Sequence, residues 1–372
     1  MQKYLVKILK KNKFNKRGDF LNEWGGFFNE WFFVKKNFQK KFVVLKNVVS
    51  LRQHASSASR WNSAIRGGFL FFSDMTKISY TKPFLSYQQQ LEQLKLRGLK
   101  FGDEKMALHL LKKIGYYRFS GYLYPLLANK QQSIFKPGAT FDAAFNLYKF
   151  DSKLRKLIIT ELEKIEVAVR SQITYSLSMA HGSFWMDNET LFDNADKYRA
   201  TVDKIINEMQ RSDEDYILNF ASIYSNPLPP SFMLLEIVSF GSLSRLYENL
   251  KSDVAKREVS QTFGLSDVAF ISWMHALVYI RNLCAHHTRL WNKLLQIQPL
   301  FPRRMQYTWL TNRNVRNSSM YYILSMIIYL LNTVNPNHTF KQKLENLFKK
   351  YPNVDRRAMG FPPNWHTEPL WK

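Results

Sequence analysis

The sequence predicts an all-α protein, built as an antiparallel helical bundle. Apolar residues recur at alternating three- and four-residue spacing in the C-terminal third, for example at Phe270, Trp273, Leu277 and Ile280. This is the period of one face of an α-helix. The alternation of apolar and polar residues that is typical of half-buried strands is scarce. Helices that each bury one apolar face pack against one another as a bundle.

Residues 1–74 do not fit this pattern. Aromatic clusters and basic runs such as LKKNKFNKR alternate there without a helical or strand period. No apolar segment follows the basic start, so a secretory signal is not expected. We expect translation to start at Met75, because the family resemblance described below begins just after it, with residues 1–74 a leader encoded upstream. A genuine basic arm that binds RNA is the competing interpretation.

Residues 75–136 are predicted to form an N-terminal helical subdomain. Apolar residues around Gly98 and Gly102 predict two helices joined by a turn. The stretch IGYYRFSGYLYPL follows, in which Tyr116, Tyr117 and Arg118 are candidate RNA-binding residues. Aromatic rings stack on bases and a guanidinium binds phosphate. The alternative is that Tyr116, Tyr117 and Tyr122 are ordinary core residues with a solvated hydroxyl.

Residues 137–300 are predicted to be the main bundle. We expect one or two helices from Phe141 to Met179, then helices at Phe232 to Leu250 and Val268 to Trp291. The acids at 213–215 are interpreted as a solvated charge run, because three adjacent side chains point in different directions on a helix. No metal site is therefore predicted.

Residues 301–372 are predicted to form a C-terminal helix and a tail rich in proline and aromatic residues. The apolar stretch MYYILSMIIYLLNTV begins at Met320 and is interrupted by Ser325 and Asn332. Because it is shorter than the roughly 20 residues that a membrane span needs, it is predicted to be a buried helix.

The charge balance indicates a polyanionic partner. Lys and Arg outnumber Asp and Glu by 54 to 29, a formal charge of +25. Residues 1–74 hold fifteen Lys or Arg against four Asp or Glu, and removing that +11 leaves +14. Nucleic acid is the obvious partner class. No phosphate-binding loop, dinucleotide glycine motif or zinc-protease motif is found, so no cofactor is predicted.

Cys284 is the single cysteine. It excludes an intramolecular disulfide and a cysteine-based zinc site, which fits a reducing cytoplasm. Because Cys284 continues the apolar stripe, it is interpreted as a packing residue rather than a reactive thiol.

The stretch RNLCAHHTRLWN, from Arg281 to Asn292, is called the signature segment below. If the helix runs to Trp291, the apolar stripe continues through Cys284, His287 and Trp291. Asn282 and His286 then lie one turn apart on the opposite side, together with Arg281 and Arg289. A guanidinium binds phosphate and an imidazole exchanges protons near neutral pH, a pairing that suits RNA cleavage without a metal. A solvated helix face is the alternative.

Arg281, Asn282 and His286 reproduce the R-N-x-x-x-H pattern of the HEPN ribonucleases. The whole signature segment resembles that of the Abi_2 family, the AbiD/AbiF-like abortive-infection proteins. Further blocks resemble the family in family order, from KPFLSYQQQLEQLKLRGL near Lys82 to MGFPPNWHTEPLW at the end. The resemblance covers about residues 77 to 371. One departure is Phe232, where these proteins usually carry Trp.

The resemblance implies a HEPN-type bundle and a metal-independent endoribonuclease that is the toxic effector of an abortive-infection system. His286 would be the general acid or base, Arg281 would stabilise the phosphorane and Asn282 would orient a phosphate or the imidazole. The residues expected to support the site are Arg155, Glu166, Arg170, His287 and Arg289. The first three could also belong to ordinary helix ion pairs between residues spaced four apart. His287 is interpreted mainly as structural.

A small structured non-coding RNA is the partner that the resemblance implies. A non-catalytic RNA-binding protein of a ribonucleoprotein defence complex is the alternative function. A membrane-surface protein that uses the basic leader is a weaker third. The imidazole of His286 favours catalysis, because binding the RNA backbone requires cations and a neutral side chain contributes little to it.

We also expect a homodimer, at least in the RNA-free state. Cleavage moves one proton from the 2′-hydroxyl and another to the leaving oxygen, yet each chain offers a single His286 on the exposed face. A symmetric pair would supply two. Ile271, Met274 and Val278, on the same side of the helix, are predicted to be buried between the subunits.

Overall fold

Twelve α-helices and one short β-hairpin make up the part of the chain that the computed structural model describes, residues 79–372. The all-α prediction is confirmed. Residues Pro83–Lys372 form one compact unit. The predictions for residues 1–74 and for a start at Met75 lie outside the described residues, and the proposed divisions near residues 136 and 300 stay predictions.

The elements in chain order are α1 (Tyr87–Leu96), α2 (Glu104–Ile114), α3 (Tyr116–Leu123), β1 (Leu127–Asn129), β2 (Ile134–Phe135), α4 (Phe141–His181), α5 (Ala195–Met209), α6 (Asp215–Ile223), α7 (Ser231–Ile237), α8 (Phe240–Asn249), α9 (Val254–Thr262), α10 (Asp267–Ala285), α11 (Met320–Val334) and α12 (Phe340–Lys350). Single 3₁₀ turns occur at Tyr124–Leu126, Trp185–Asp187, Glu189–Leu191, Arg357–Met359, Trp365–Thr367 and Pro369–Trp371.

Helix α4 is the axis of the bundle. Its 41 residues begin after Thr140, whose hydroxyl accepts the backbone N–H of Ala143, and end at Gly182, which has a φ of +82°. Only glycine adopts that backbone conformation readily, so the helix stops there. At about 1.5 Å per residue the helix is roughly 60 Å long. Helices α3, α7, α9, α10, α11 and α12 all pack against it.

The N-terminal helices form as predicted. Helix α1 begins with a capping box between Ser86 and Gln89, and Gly98 turns the chain toward α2 with a φ of +89°. The hairpin β1–β2 was not predicted; it is antiparallel and pairs Leu127 with Phe135. With only three and two residues, its strands are too short to show an alternating pattern.

The helix predicted from Phe232 to Leu250 is wrong, because two helices occupy this range. The break falls at Val238 and Ser239, which have extended backbone conformations. Arg170 donates to the Val238 carbonyl over 2.8 Å, and the Ser239 N–H donates to Glu208 over 2.9 Å. These side chains replace the backbone hydrogen bonds that a continuous helix would make.

The predicted end of α10 at Trp291 is also wrong, because the helix ends at Ala285. His286 caps it, and His287 adopts a left-handed conformation with a φ of +54°. The predicted place of His287 on the core stripe is therefore wrong, since its side chain is exposed. The stripe itself is confirmed, with buried residues at Phe270, Trp273, Leu277, Ile280, Cys284 and Trp291.

The apolar stretch at Met320 is confirmed as a buried helix, since every residue from Met320 to Leu331 is buried. A second C-terminal helix, α12, was not predicted separately from the tail.

Among the described helices, α10 is long and apolar enough to cross a membrane by length and composition. Its apolar stripe packs inside the bundle, so this is weak support for a membrane span.

Cys284 lies in the core, with 4% of its surface exposed. Burial raises the pKa of its thiol to about 12, so the reactive thiolate is disfavoured. The interpretation of Cys284 as a packing residue is confirmed.

We expect Cys284→Trp to lower the free energy of unfolding by about 1–3 kcal/mol, because a larger side chain overpacks the core. Urea denaturation measures the change. Val268→Trp, on the same helix at a position that is 66% exposed, is the matched control and should change stability by less than about 0.5 kcal/mol. Equal stability of both variants and the unmodified protein would contradict the core placement.

Candidate active site

The candidate catalytic residues lie at the C-terminal end of α10. Arg281 and Asn282 are in its last turn, and His286 is the residue that caps it. The backbone N–H of His286 donates to the Asn282 carbonyl over 2.9 Å, which places the two residues one turn apart. The side chains of Asn282 and His286 are exposed, and that of Arg281 is 43% exposed. A phosphate in solvent can therefore reach all three.

Arg281 borders a groove of about 490 Å³ between α4 and α10, called the Arg281 groove below. The guanidinium Nε of Arg281 lies 4.0 Å from one carboxylate oxygen of Glu166. The other carboxylate oxygen of Glu166 lies 3.1 Å from Arg170, whose side chain is nearly buried. Glu166 therefore bridges the two guanidiniums, and the rigid Arg170 fixes the position of the carboxylate that faces Arg281.

The residues that follow α10 are held by a buried carboxylate. Asp151, on α4, has no exposed surface. It accepts the backbone N–H groups of Leu290 over 3.1 Å and Trp291 over 2.7 Å, and the Tyr122 hydroxyl over 2.7 Å. It also forms an ion pair with Arg155, one turn further along α4. Burial and the adjacent Asp151 charge raise the pKa of Tyr122, so its phenol remains a hydrogen-bond donor.

Three arginines hold the same segment through backbone carbonyls. Nη1 of Arg155 lies 3.5 Å from the Thr288 carbonyl oxygen. Arg118, on α3, donates to the His287 carbonyl over 2.7 Å. Arg289 donates in the opposite direction, to the Gly121 carbonyl of α3. Helix α3 and the signature segment are therefore bound to each other side by side, beside the exposed His286 and His287.

The candidate RNA-binding residues divide by exposure. Tyr117 is 93% exposed and Arg118 is exposed beside the signature segment. Tyr116 is half-buried, and its hydroxyl accepts Arg97 over 3.2 Å. The alternative of an ordinary core tyrosine describes Tyr122, which is 2% exposed, and it does not describe Tyr117.

The acids at 213–215 are exposed. In residues 79–372 no group of three His, Cys, Asp or Glu side chains is placed to hold a metal ion.

Of the three dimer contacts predicted on α10, the one at Met274 is wrong, because Met274 is 1% exposed and is buried within the chain itself. The dimer contacts at Ile271 and Val278 stay predictions. Ile271 and Val278 are half-buried against the core, and Val278 packs at Gly241 of α8, where a Cβ atom would lie 3.7 Å from Val278 Cγ1. Helix α8 covers this side of α10, and no sequence period could show that.

Sequence reasoning assigned no role in the site to Asp151 or Tyr122. The only sequence signal for Asp151 was its four-residue spacing from Arg155, which is equally typical of a solvent-exposed ion pair. Tyr122 was identified from the sequence only as a candidate core residue.

We expect Asp151→Ala to lower the free energy of unfolding by about 3–5 kcal/mol, because it leaves a buried guanidinium uncompensated. Chemical denaturation measures the loss. Glu163→Ala, at an exposed position on the same helix, should change stability by less than about 0.5 kcal/mol. If the two variants are equally stable, Asp151 does not hold the signature segment.

A comparison with protein families matches residues 109–292 to the family described as Abi-like protein. The matched range contains α3, α4, Asp151 and the whole signature segment. Comparisons with curated proteins and with solved structures found no match. The family description indicates a role in abortive-infection defence. Over the range that carries the candidate active site, the chain belongs to the Abi-like protein family.

Proposed function

We propose that this protein is a metal-independent HEPN endoribonuclease, the toxic effector of a cytoplasmic abortive-infection system. One observation carries the proposal: an arginine, an amide and an imidazole are exposed together at the end of α10, beside a groove. The segment that follows them is held by Asp151. Fixed donors next to solvent suit a site that must position a phosphate.

The proposed chemistry uses these three side chains and one further acid. The 2′-hydroxyl oxygen of RNA attacks the adjacent phosphorus while His286 accepts its proton. A bond from O2′ to phosphorus forms and the bond from phosphorus to O5′ breaks, leaving a 2′,3′-cyclic phosphate and a 5′-hydroxyl. Arg281 stabilises the negative charge on the phosphorane. Asn282 donates a hydrogen bond that orients the phosphate. The leaving O5′ takes its proton from a second acid, which a second His286 would supply in the dimer proposed below.

RNA is the proposed partner as well as the proposed substrate. A small structured non-coding RNA would bind the exposed Tyr117 and Arg118 and keep the toxin inactive. The total charge of +25 supports a polyanionic partner. Binding without cleavage is the non-catalytic alternative, which the product analysis below distinguishes.

We expect Arg281→Ala and His286→Ala each to abolish toxicity and RNA cleavage while leaving the fold intact, because both side chains are at least partly exposed. Removal of one charge-stabilising donor typically costs about a hundredfold to a thousandfold in rate. The measurements are bacterial survival at matched expression, and mass spectrometry of RNA ends for cyclic phosphate. Circular dichroism reports the fold.

His109→Ala, an exposed histidine on α2, is the matched control and should keep full toxicity. Full toxicity of Arg281→Ala or His286→Ala would show that the assigned site is wrong. RNA binding by the unmodified protein without any cleavage would favour the non-catalytic alternative.

A homodimer would supply the second acid-base group. An exposed apolar stripe on α4, formed by Val167, Tyr175 and Met179, can carry the interface. Val167 lines the Arg281 groove, so two chains paired through this stripe would contact each other next to the candidate active site. We propose a twofold pair in which the two His286 side chains face one phosphate.

Mixing inactive His286→Ala protein with inactive Arg281→Ala protein should restore no more than partial cleavage, because a mixed dimer keeps one Arg281 and one His286 instead of two of each. Sedimentation should find a dimer in the RNA-free protein. Tyr175→Glu should shift it to monomer, whereas Tyr224→Glu, at a similarly exposed tyrosine that follows α6, should not. A strictly monomeric RNA-free protein that cleaves would disprove the shared site.

A further inference from the structure

A second cavity lies at the far end of the signature segment and is called the lysine cavity below. Its volume is about 560 Å³. Ligand-binding pockets commonly measure roughly 300–1,000 Å³. Four segments line it: the start of α4, the chain around Leu126, the end of the signature segment, and the residues that follow α12. The cavity therefore lies where segments distant in sequence meet, and not between two side chains of one helix.

The walls of the lysine cavity combine apolar and amide groups. Leu126, Leu147 and the ring of Tyr351 supply the apolar surface. Asn146 and Asn292 supply side-chain amides that make no hydrogen bond to another described residue. Asn292 also has a positive φ of +50°, an uncommon backbone conformation at the rim of the cavity. An amide that is free to donate and to accept suits the edge of a nucleobase.

Cations gather at the same place. Lys149 and Lys350 line the cavity, and Lys153 and Lys156 follow on the next turns of α4. Within residues 79–372 none of the four forms an ion pair with an acid. The charge of Lys350 lowers the pKa of Lys153. Like charges that repel without compensation favour an anionic ligand.

One acid also lines the cavity. The carboxylate of Asp355 accepts the backbone N–H of Arg357 over 2.8 Å, and its carbonyl accepts Trp291 Nε1 over 3.1 Å. The first contact is local, and the second holds the chain after α12 against the signature segment. The remaining carboxylate oxygen can accept a ribose hydroxyl or a base amino group.

We propose that the lysine cavity binds one nucleotide. The base would lie against Tyr351 and the apolar wall, the amides of Asn146 and Asn292 would contact the base edge, and Lys149 and Lys350 would hold the phosphate. A free nucleoside monophosphate and an unstacked nucleotide of an RNA chain offer this same chemistry. The RNA source rests on the proposed function, whereas the mononucleotide source does not.

The experiment is calorimetric titration of the full-length protein with each nucleoside 5′-monophosphate, with inorganic phosphate, and with a short single-stranded RNA. At least one nucleotide should bind about tenfold or more tightly than phosphate, since stacking of a base contributes roughly 1–3 kcal/mol. Ala143→Trp fills the cavity from an exposed position on its lining and should weaken binding by about tenfold or more. Lys149→Gln combined with Lys350→Gln should do the same.

The charge-matched control combines Lys197→Gln with Lys251→Gln, two exposed lysines outside the cavity, and should bind as the unmodified protein does. Displacement of the RNA by a mononucleotide would show that both occupy the cavity. No nucleotide binding, or equal weakening in the control, would overturn the proposal. Arg281→Ala should retain nucleotide binding, so a protein that binds nucleotide but never cleaves would refute the proposed function and leave the cavity assignment standing.

Discussion

The site depends on one buried ion pair, between Asp151 and Arg155 on α4. A carboxylate without exposed surface is costly to bury unless every lone pair is used. Here the amides of Leu290 and Trp291 and the hydroxyl of Tyr122 complete it. The same few atoms therefore join α3, α4 and the signature segment. The need to satisfy this charge is a physical reason why the chain leaves α10 after Ala285.

That early end of α10 decides how the candidate residues are presented. On a longer helix His286 would be one residue of a side face, whereas at the cap it stands at an exposed turn. Several arginines close by hold the backbone in place. Arg118 and Arg289 donate hydrogen bonds to backbone carbonyls, and Arg170 donates to Glu166 and to the Val238 carbonyl. Net charge alone therefore does not locate a phosphate site, because some of the neighbouring arginines bind the protein backbone.

The signature segment also connects two concave surfaces. The Arg281 groove lies at its start, and the lysine cavity lies at its end beside Trp291 and Asn292. Because Asp151 holds the segment between them, the two surfaces keep a fixed spacing. Two surfaces at a fixed spacing suit a polynucleotide, because its phosphates are regularly spaced.

The sequence by itself determined the helical class, the buried helix at Met320, the apolar stripe of α10 and the residue types of the candidate site. Helical periodicity is local, so it records which face of each helix is buried. Only the tertiary structure decided where α10 ends, where α7 and α8 separate, and that Met274 is covered within its own subunit. Those outcomes depend on partners far away in the chain: Asp151 is 139 residues from Leu290, and Arg170 is 68 residues from Val238. A period of three to four residues carries no information about contacts at such separations.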